Sequence, residues 1–139
     1  MYYCINLLIQ FGDANMTWKF DNDKPIYLQL VEELKLKIIS NELSAGSKLP
    51  SVREFAAEAG VNPNTMQRAL AELEGQQLVF TKRTSGRFVT EDDAYIQTLR
   101  QDYAQNQISD MITSLIKLGY TSKELTVLIE QSLKEKIYE

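Results

Sequence analysis

The chain has 139 residues and a net charge of −4, with no histidine and one cysteine, Cys4. That inventory excludes an intrachain disulfide, a Cys/His zinc centre and Ser-His-Asp or Cys-His catalysis within one chain. No apolar run approaches the roughly 20 residues of a membrane span, so no membrane role is expected, and the lone cysteine fits a reducing, cytoplasmic location.

Residues 1–15 are apolar until Gly12 but lack the basic region and small-residue cleavage site of a signal peptide. They are expected either to form a strand or a helical turn against the body or, as the favoured reading, to be an upstream extension, Met1–Asn15, with Met16 as the natural start. Trp18 and Phe20 then offer an aromatic arm that can pack onto the body. Pro25 opens a helix over 26–40, in which Tyr27, Leu30, Val31, Leu34 and Ile38 share an inward face. Glu32, Glu33, Lys35 and Lys37 are placed on its wet side. The turn-rich run from Asn41 to Pro50 follows, with Leu43 and Leu49 expected to plug the core edge.

From Leu49 to Leu70 the pattern is helix, tight turn, helix. Ser51 and Glu54 make a capping box, and Val52, Phe55, Ala56 and Ala59 an apolar stripe. Gly60 suits the left-handed conformation that ends a helix. Asn62 is a good N-cap for the second helix and Pro63 a good first residue. Met66, Ala69, Leu70 and Leu73 face inward, leaving Asn64, Thr65, Gln67 and Arg68 near the start of the helix, partly or wholly outward. These are residue types that read DNA: arginine forks onto guanine, asparagine and glutamine onto adenine, and threonine onto a base or a phosphate. A plain helical hairpin with a polar surface would look similar, so the next segment decides. Gly75 breaks the helix, 78–81 and 87–90 read as strands, and Lys82-Arg83-Thr84-Ser85-Gly86 reads as their turn. A basic hairpin directly after a helix-turn-helix reads as the wing of a winged helix.

The charge distribution agrees with that reading. Residues 48–90 carry six basic and four acidic side chains, a net +2, whereas residues 91–139 net −4 and residues 1–47 net −2. The basic surplus coincides with the helix-turn-helix. Beyond the Glu91-Asp92-Asp93 linker, a helix over 94–118 shows an apolar face of Ile96, Leu99, Tyr103, Ile108, Met111, Ile112, Leu115 and Ile116. Gly119 ends it. Thr121 and Glu124 make a second capping box, and Leu125, Leu128, Ile129, Leu133 and Ile137 stripe the last helix. Two such helices bury too little alone. They are expected either to fold back onto the winged helix or, as the favoured reading, to pair with their own copies across a twofold axis.

Four stretches, P-I-Y-L-Q-L at 25–30, L-P-S-V-R-E at 49–54, G-V-N-P-N-T-M-Q-R-A-L-A-E-L-E at 60–74 and S-G-R-F-V at 85–89, together resemble the GntR family of bacterial transcription regulators. The N-P-N-T run and the short two-helix tail resemble its YtrA-like branch, and the resemblance covers residues 16–139. It implies a dimeric winged-helix DNA-binding protein, commonly a repressor. In that family the arginine of L-P-S-x-R, the start of the recognition helix and the wing glycine contact DNA, places filled here by Arg53, by Asn64, Thr65 and Gln67, and by Gly86. Pro63 stands where many other branches carry an arginine or another polar residue, so that base contact does not carry over. The frequent G-x-G-T wing pattern is here Thr84-Ser85-Gly86-Arg87. Genes of the YtrA-like branch often neighbour transporter genes.

The expected fold is therefore mainly α with a small β-hairpin: an N-terminal extension (1–15), a winged helix-turn-helix (16–90) and a two-helix dimerisation tail (91–139). The expected partners are a double-stranded DNA operator, in the form of an inverted repeat, and a second copy of the chain. The expected DNA-binding set is Ser51, Arg53, Asn62, Asn64, Thr65, Gln67, Arg68, Lys82, Arg83, Ser85, Gly86 and Arg87. The expected dimer set is Ile96, Leu99, Tyr103, Ile108, Met111, Ile112, Leu115, Leu125, Leu128, Ile129 and Leu133. No catalytic residue, metal site, cofactor or effector is assigned. The competing reading is a winged helix that contacts protein rather than DNA. An enzyme is poorly supported, since the Asp92-Asp93 pair is better explained by helix capping than by acid-base chemistry.

Overall fold

The computed structural model describes residues 18–137, in two compact units. The first runs from the described N-terminus to Arg100 and the second from Gln101 to Ile137. The proposed extension Met1–Asn15 lies outside the described residues. In chain order the elements are α1 (Ile26–Ile39), α2 (Val52–Ala59), α3 (Pro63–Gly75), β1 (Val79–Lys82), β2 (Gly86–Val89), α4 (Asp93–Lys117) and α5 (Ser122–Ile137). This is the winged-helix architecture expected from the sequence.

Helix α1 starts after Pro25, which offers no side-chain cap. The Gln29 amide supplies the tie instead: it accepts from the Asp21 N–H and donates to the Asp21 and Lys24 carbonyls. Leu30, Leu34 and Ile38 are fully buried on its inner face. Lys37 corrects the sequence expectation of a wet side, being only 7% exposed. Its stem is covered while its Nζ donates to Glu42 Oε1 at 2.9 Å and lies 4.7 Å from the centre of the Trp18 ring. A lysine can be buried in this way when its ammonium keeps a carboxylate and a ring face. Trp18 stacks with Phe20 and meets Phe55 of α2 edge-on at 6.1 Å, so the aromatic arm packs onto the body.

The helix-turn-helix follows its local signals. The Ser51 hydroxyl accepts from the Glu54 N–H and the Glu54 carboxylate accepts from the Ser51 N–H. Gly60 takes φ 68°, and the Val61 N–H then returns to the Ala56 carbonyl. Asn62 Oδ1 caps α3 by accepting from the Asn64 N–H at 2.8 Å. Helix α3 ends at Gly75 as expected, but the left-handed residue that turns the chain is Gln77, at φ 62°. The core joins α1, α2 and α3 through Leu30, Leu34, Phe55, Met66, Leu70 and Leu73, closed by Leu49, Leu78, Val79 and Val89.

The hairpin pairs Val79 with Val89 and Lys82 with Gly86, one residue nearer its turn than the sequence pattern placed it. A third stretch joins its edge: the Leu49 N–H donates to the Arg87 carbonyl and the Val89 N–H to the Ser47 carbonyl, both at 2.9 Å. The loop before α2 thus holds the wing in place, where the sequence showed only turn residues.

Asp92 Oδ1 caps α4 through the Tyr95 N–H. The first turns of this helix belong to the first unit. The Tyr95 hydroxyl donates to the Gln76 carbonyl at 2.7 Å, and Arg100 Nε to the Ile39 carbonyl at 2.8 Å. Ile96 is 3% exposed inside the winged-helix core and Leu99 packs against it. Ile96 and Leu99, expected on the dimer face, thus serve the core of the first unit, which the N-terminal turns of α4 close.

In the second unit Gly119 takes φ 96°, and Thr121 accepts from the Glu124 N–H to start α5. Among residues 101–137 only Leu125 is buried. Ile108, Met111, Leu128 and Leu133 of the expected dimer set are exposed, and so are Ile116, Leu118, Val127 and Ile137. Tyr103, Ile112, Leu115 and Ile129 are half-buried. No helix among the described residues is long and apolar enough to cross a membrane.

Candidate nucleic-acid interface

Once α3 has buried Met66, Ala69, Leu70 and Leu73, the helical repeat leaves Asn64, Gln67 and Arg68 exposed and Thr65 half-buried. Asn64, Gln67 and Arg68 are spaced three and four residues apart, so their side chains share one face at the start of the helix. Asn62 and Ser51 play the capping parts already described. The Asn62 carboxamide oxygen and the Ser51 hydroxyl lone pair are engaged, leaving the Asn62 NH₂ and the Ser51 proton as donors.

Arg53 is exposed on the first turn of α2, with no hydrogen bond or ion pair to another described residue. Arg68 does not pair with Glu72. Its guanidinium carbon lies 3.6 Å from the centre of the Tyr27 ring on α1.

The wing has two different faces, because successive strand residues alternate. On one face Phe80 and Phe88 stack at 6.1 Å, and Lys82 Nζ lies 4.5 Å from the Phe88 ring centre. On the other face, Thr81 donates to Glu74 Oε1 through its N–H at 3.0 Å and its hydroxyl at 2.7 Å. This contact straps the wing to the end of α3. Arg87 is half-buried on the same side, with its Nε buried and unpartnered. It helps line an open groove of about 750 Å³ together with Lys48, Ser51, Glu54, Glu58 and Gly86. Arg83 and Ser85 are exposed at the tip. Gly86 has φ 102°, and a Cβ there would meet the Lys48 side chain at 3.3 Å.

The structure thus gathers the sequence-expected residues on the α2 start, the exposed face of α3 and the wing. It also brings in Tyr27, Lys48 and Glu74, which the sequence reading did not assign. Tyr27 looked like one more inward aromatic, and no local pattern signals that Glu74 reaches across to Thr81. Among the described residues no group of three or more histidine, cysteine or acidic side chains could hold a metal ion.

A capped helix-turn-helix with a free polar face on its second helix, followed by a strapped basic hairpin, defines a winged helix-turn-helix DNA-binding domain. Residues 26–89 match the family model described as bacterial regulatory proteins, gntR family. The HTH-type transcriptional regulator YhcF of Bacillus subtilis is 36% identical over 107 residues, covering 77% of this chain and 88% of that one. The chain belongs to the GntR family of bacterial transcriptional regulators. The repressor YtrA of Bacillus subtilis is 38% identical over 68 residues, 49% of this chain and 52% of that one, so the likeness spans about half of each. Among solved structures, a GntR family regulator from Listeria monocytogenes superimposes with a TM-score of 0.73 at 38% identity. It covers 81% of this chain and 98% of that one. A transcriptional regulator from Oenococcus oeni gives a TM-score of 0.72 at 34% identity, covering 83% and 96%. The family and these relatives are regulators rather than enzymes.

Proposed function

We propose that this regulator is a homodimeric, sequence-specific repressor that binds an inverted-repeat operator. The observation that carries the reading is the apolar surface of residues 101–137. Ile108, Met111, Leu128 and Leu133 stand exposed there, and among residues 101–137 only Leu125 is buried. Burying one leucine or isoleucine contributes roughly 1.5–3 kcal/mol, so a few per subunit suffice to hold a dimer. A second copy is the economical cover, because a twofold contact satisfies both faces with one surface. The pair then presents two α3 helices to successive major grooves, with half-sites about 34 Å apart or a multiple of that.

Within each half-site, Asn64 and Gln67 suit adenine and Arg53 suits guanine. Arg83 and the other wing cations add sequence-independent attraction to phosphates. Repression is the action named for the YtrA relative, and the resemblance to its branch extends the proposal to transporter genes as targets.

The test combines light scattering on the full chain with selection of duplexes from a randomised pool. The expected results are a dimer mass and a recovered inverted repeat. Leu128→Asp with Leu133→Asp should give a monomer that binds each half-site weakly, since tethering no longer supplies the second contact. A monomeric native chain, or a recovered site without dyad symmetry, refutes the dimeric reading. A native chain that enriches no duplex and captures only protein favours the protein-contact reading instead.

A further inference from the structure

The Tyr27–Arg68 contact has no part in the reading above. Arg68 stands exposed on α3, yet its guanidinium lies over a ring of α1 at 3.6 Å, the distance of a stacked cation. It has neither a hydrogen bond nor an ion pair to another described residue, although Glu72 is one turn further along the same helix. A guanidinium donates in its own plane and stacks through its face. A ring beneath the face therefore leaves the N–H fork open.

We propose that Tyr27 is a positioning residue for DNA binding, one that holds the Arg68 fork ready for a backbone phosphate beside the groove that α3 enters. The inference rests on the DNA-binding reading of α3. Three observations favour a phosphate over a base. Arg68 lies a full turn beyond the N-cap, whereas base edges are reached chiefly by the first residues of a recognition helix. Its ring partner is on α1, which places the guanidinium at the α1 flank of α3 rather than over Asn64 and Gln67. The charge is left without a carboxylate, as a phosphate contact requires. A free arginine loses side-chain freedom on binding, and a pre-stacked one has already lost part of it.

The experiment uses the full chain, a duplex enriched from a randomised pool and a scrambled duplex of the same length, titrated over a range of salt. Arg68→Ala should weaken binding to both duplexes and lower the salt slope by about 0.9 per subunit contact. Tyr27→Leu should weaken both about two- to five-fold, the ordering of one arginine side chain that the ring no longer supplies in advance, and leave the salt slope unchanged because the charge remains. Tyr27→Phe keeps the ring and should bind like the native chain. In the Arg68→Ala background, Tyr27→Leu should cost nothing more. An equal Tyr27→Leu loss in both backgrounds makes the ring merely structural and overturns the proposal. So does an Arg68→Ala loss confined to the enriched duplex, which would mean base reading. A native chain that binds while Arg68→Ala binds equally well overturns the inference alone, whereas a native chain that enriches no duplex overturns the DNA reading beneath it.

Discussion

Replacing Glu74 by alanine should loosen the wing from the recognition helix. One carboxylate oxygen accepts both the Thr81 N–H and the Thr81 hydroxyl, at 3.0 and 2.7 Å, across seven residues of chain. Hydrogen bonds to a charged group contribute more than neutral ones, but this pair is exposed, and about 0.5–1.5 kcal/mol each is the appropriate scale. Glu74→Ala should therefore cost about 1–3 kcal/mol, with no compensating loss of helix propensity because alanine is the best helix former. Thr81→Val removes only the hydroxyl bond and keeps a β-branched strand residue, so it should cost about half as much. Urea unfolding of the full chain reads both values. The wing should also lose part of its DNA contribution, seen as weaker binding to enriched and scrambled duplexes alike. If Glu74→Ala stays within about 0.5 kcal/mol of the native chain, as an ordinary surface change does, or if Thr81→Val costs as much as Glu74→Ala, the carboxylate is not the strap.

The other predictions are simpler. Gly60 takes φ 68° and a Cβ there would meet nothing within 4 Å, so Gly60→Ala should cost about 1–2 kcal/mol through backbone strain alone; an unfolding midpoint equal to the native one would refute this. Burial pushes the Glu33 carboxyl above its usual range, Lys37 opposes the shift and Glu42 adds to it. A raised folded-state value gives stability that is present below the unfolded pKa and lost as pH rises through the folded one. Glu33→Gln should therefore melt higher than the native chain at neutral pH, with the gap closing in acid, and an equal or lower neutral melting point would show that the Lys37 attraction outweighs burial. Replacing Lys82 and Arg83 by alanine should weaken binding to every sequence and lower the salt slope by up to about 0.9 per lost phosphate contact; lost specificity at an unchanged slope would mean that the wing reads bases.

Where structure is decided locally, the sequence was legible. The Ser51–Glu54 box, the Gly60 turn, the Asn62 cap and Pro63 each act within four residues, and all appear as their side-chain chemistry requires. The alternation of Val79–Lys82 and Gly86–Val89 placed the wing to within one residue. The same chemistry limits Ser51 and Asn62 as DNA contacts, since the atoms that make them good caps are engaged in capping. What the pattern could not show is closure at a distance. Ile96 reads as the first member of an apolar stripe that continues to Ile116, and nothing in the spacing marks the point where the stripe leaves one unit for the next. Up to that point two polar ties hold the helix in the first unit, Tyr95 to the Gln76 carbonyl and Arg100 to the Ile39 carbonyl, made across 19 and 61 residues.

Charge shows the same division between what is local and what is not. Six basic residues in 48–90 pointed to DNA, and counted as charges they look interchangeable. In the fold each has a different setting. Arg53 and Arg83 stand exposed, Lys82 lies over Phe88, Arg87 turns its Nε into a buried position, Lys48 approaches Gly86, and Arg68 rests on Tyr27. A guanidinium held by a ring reaches a phosphate with less entropy left to lose than a free one, and one whose Nε is buried and unpartnered is less free to turn its donors toward a phosphate. Equal charges should therefore contribute unequally to DNA affinity. Arg68 should contribute more to that affinity than Arg87, an order that follows from packing partners and that no count of lysines and arginines contains.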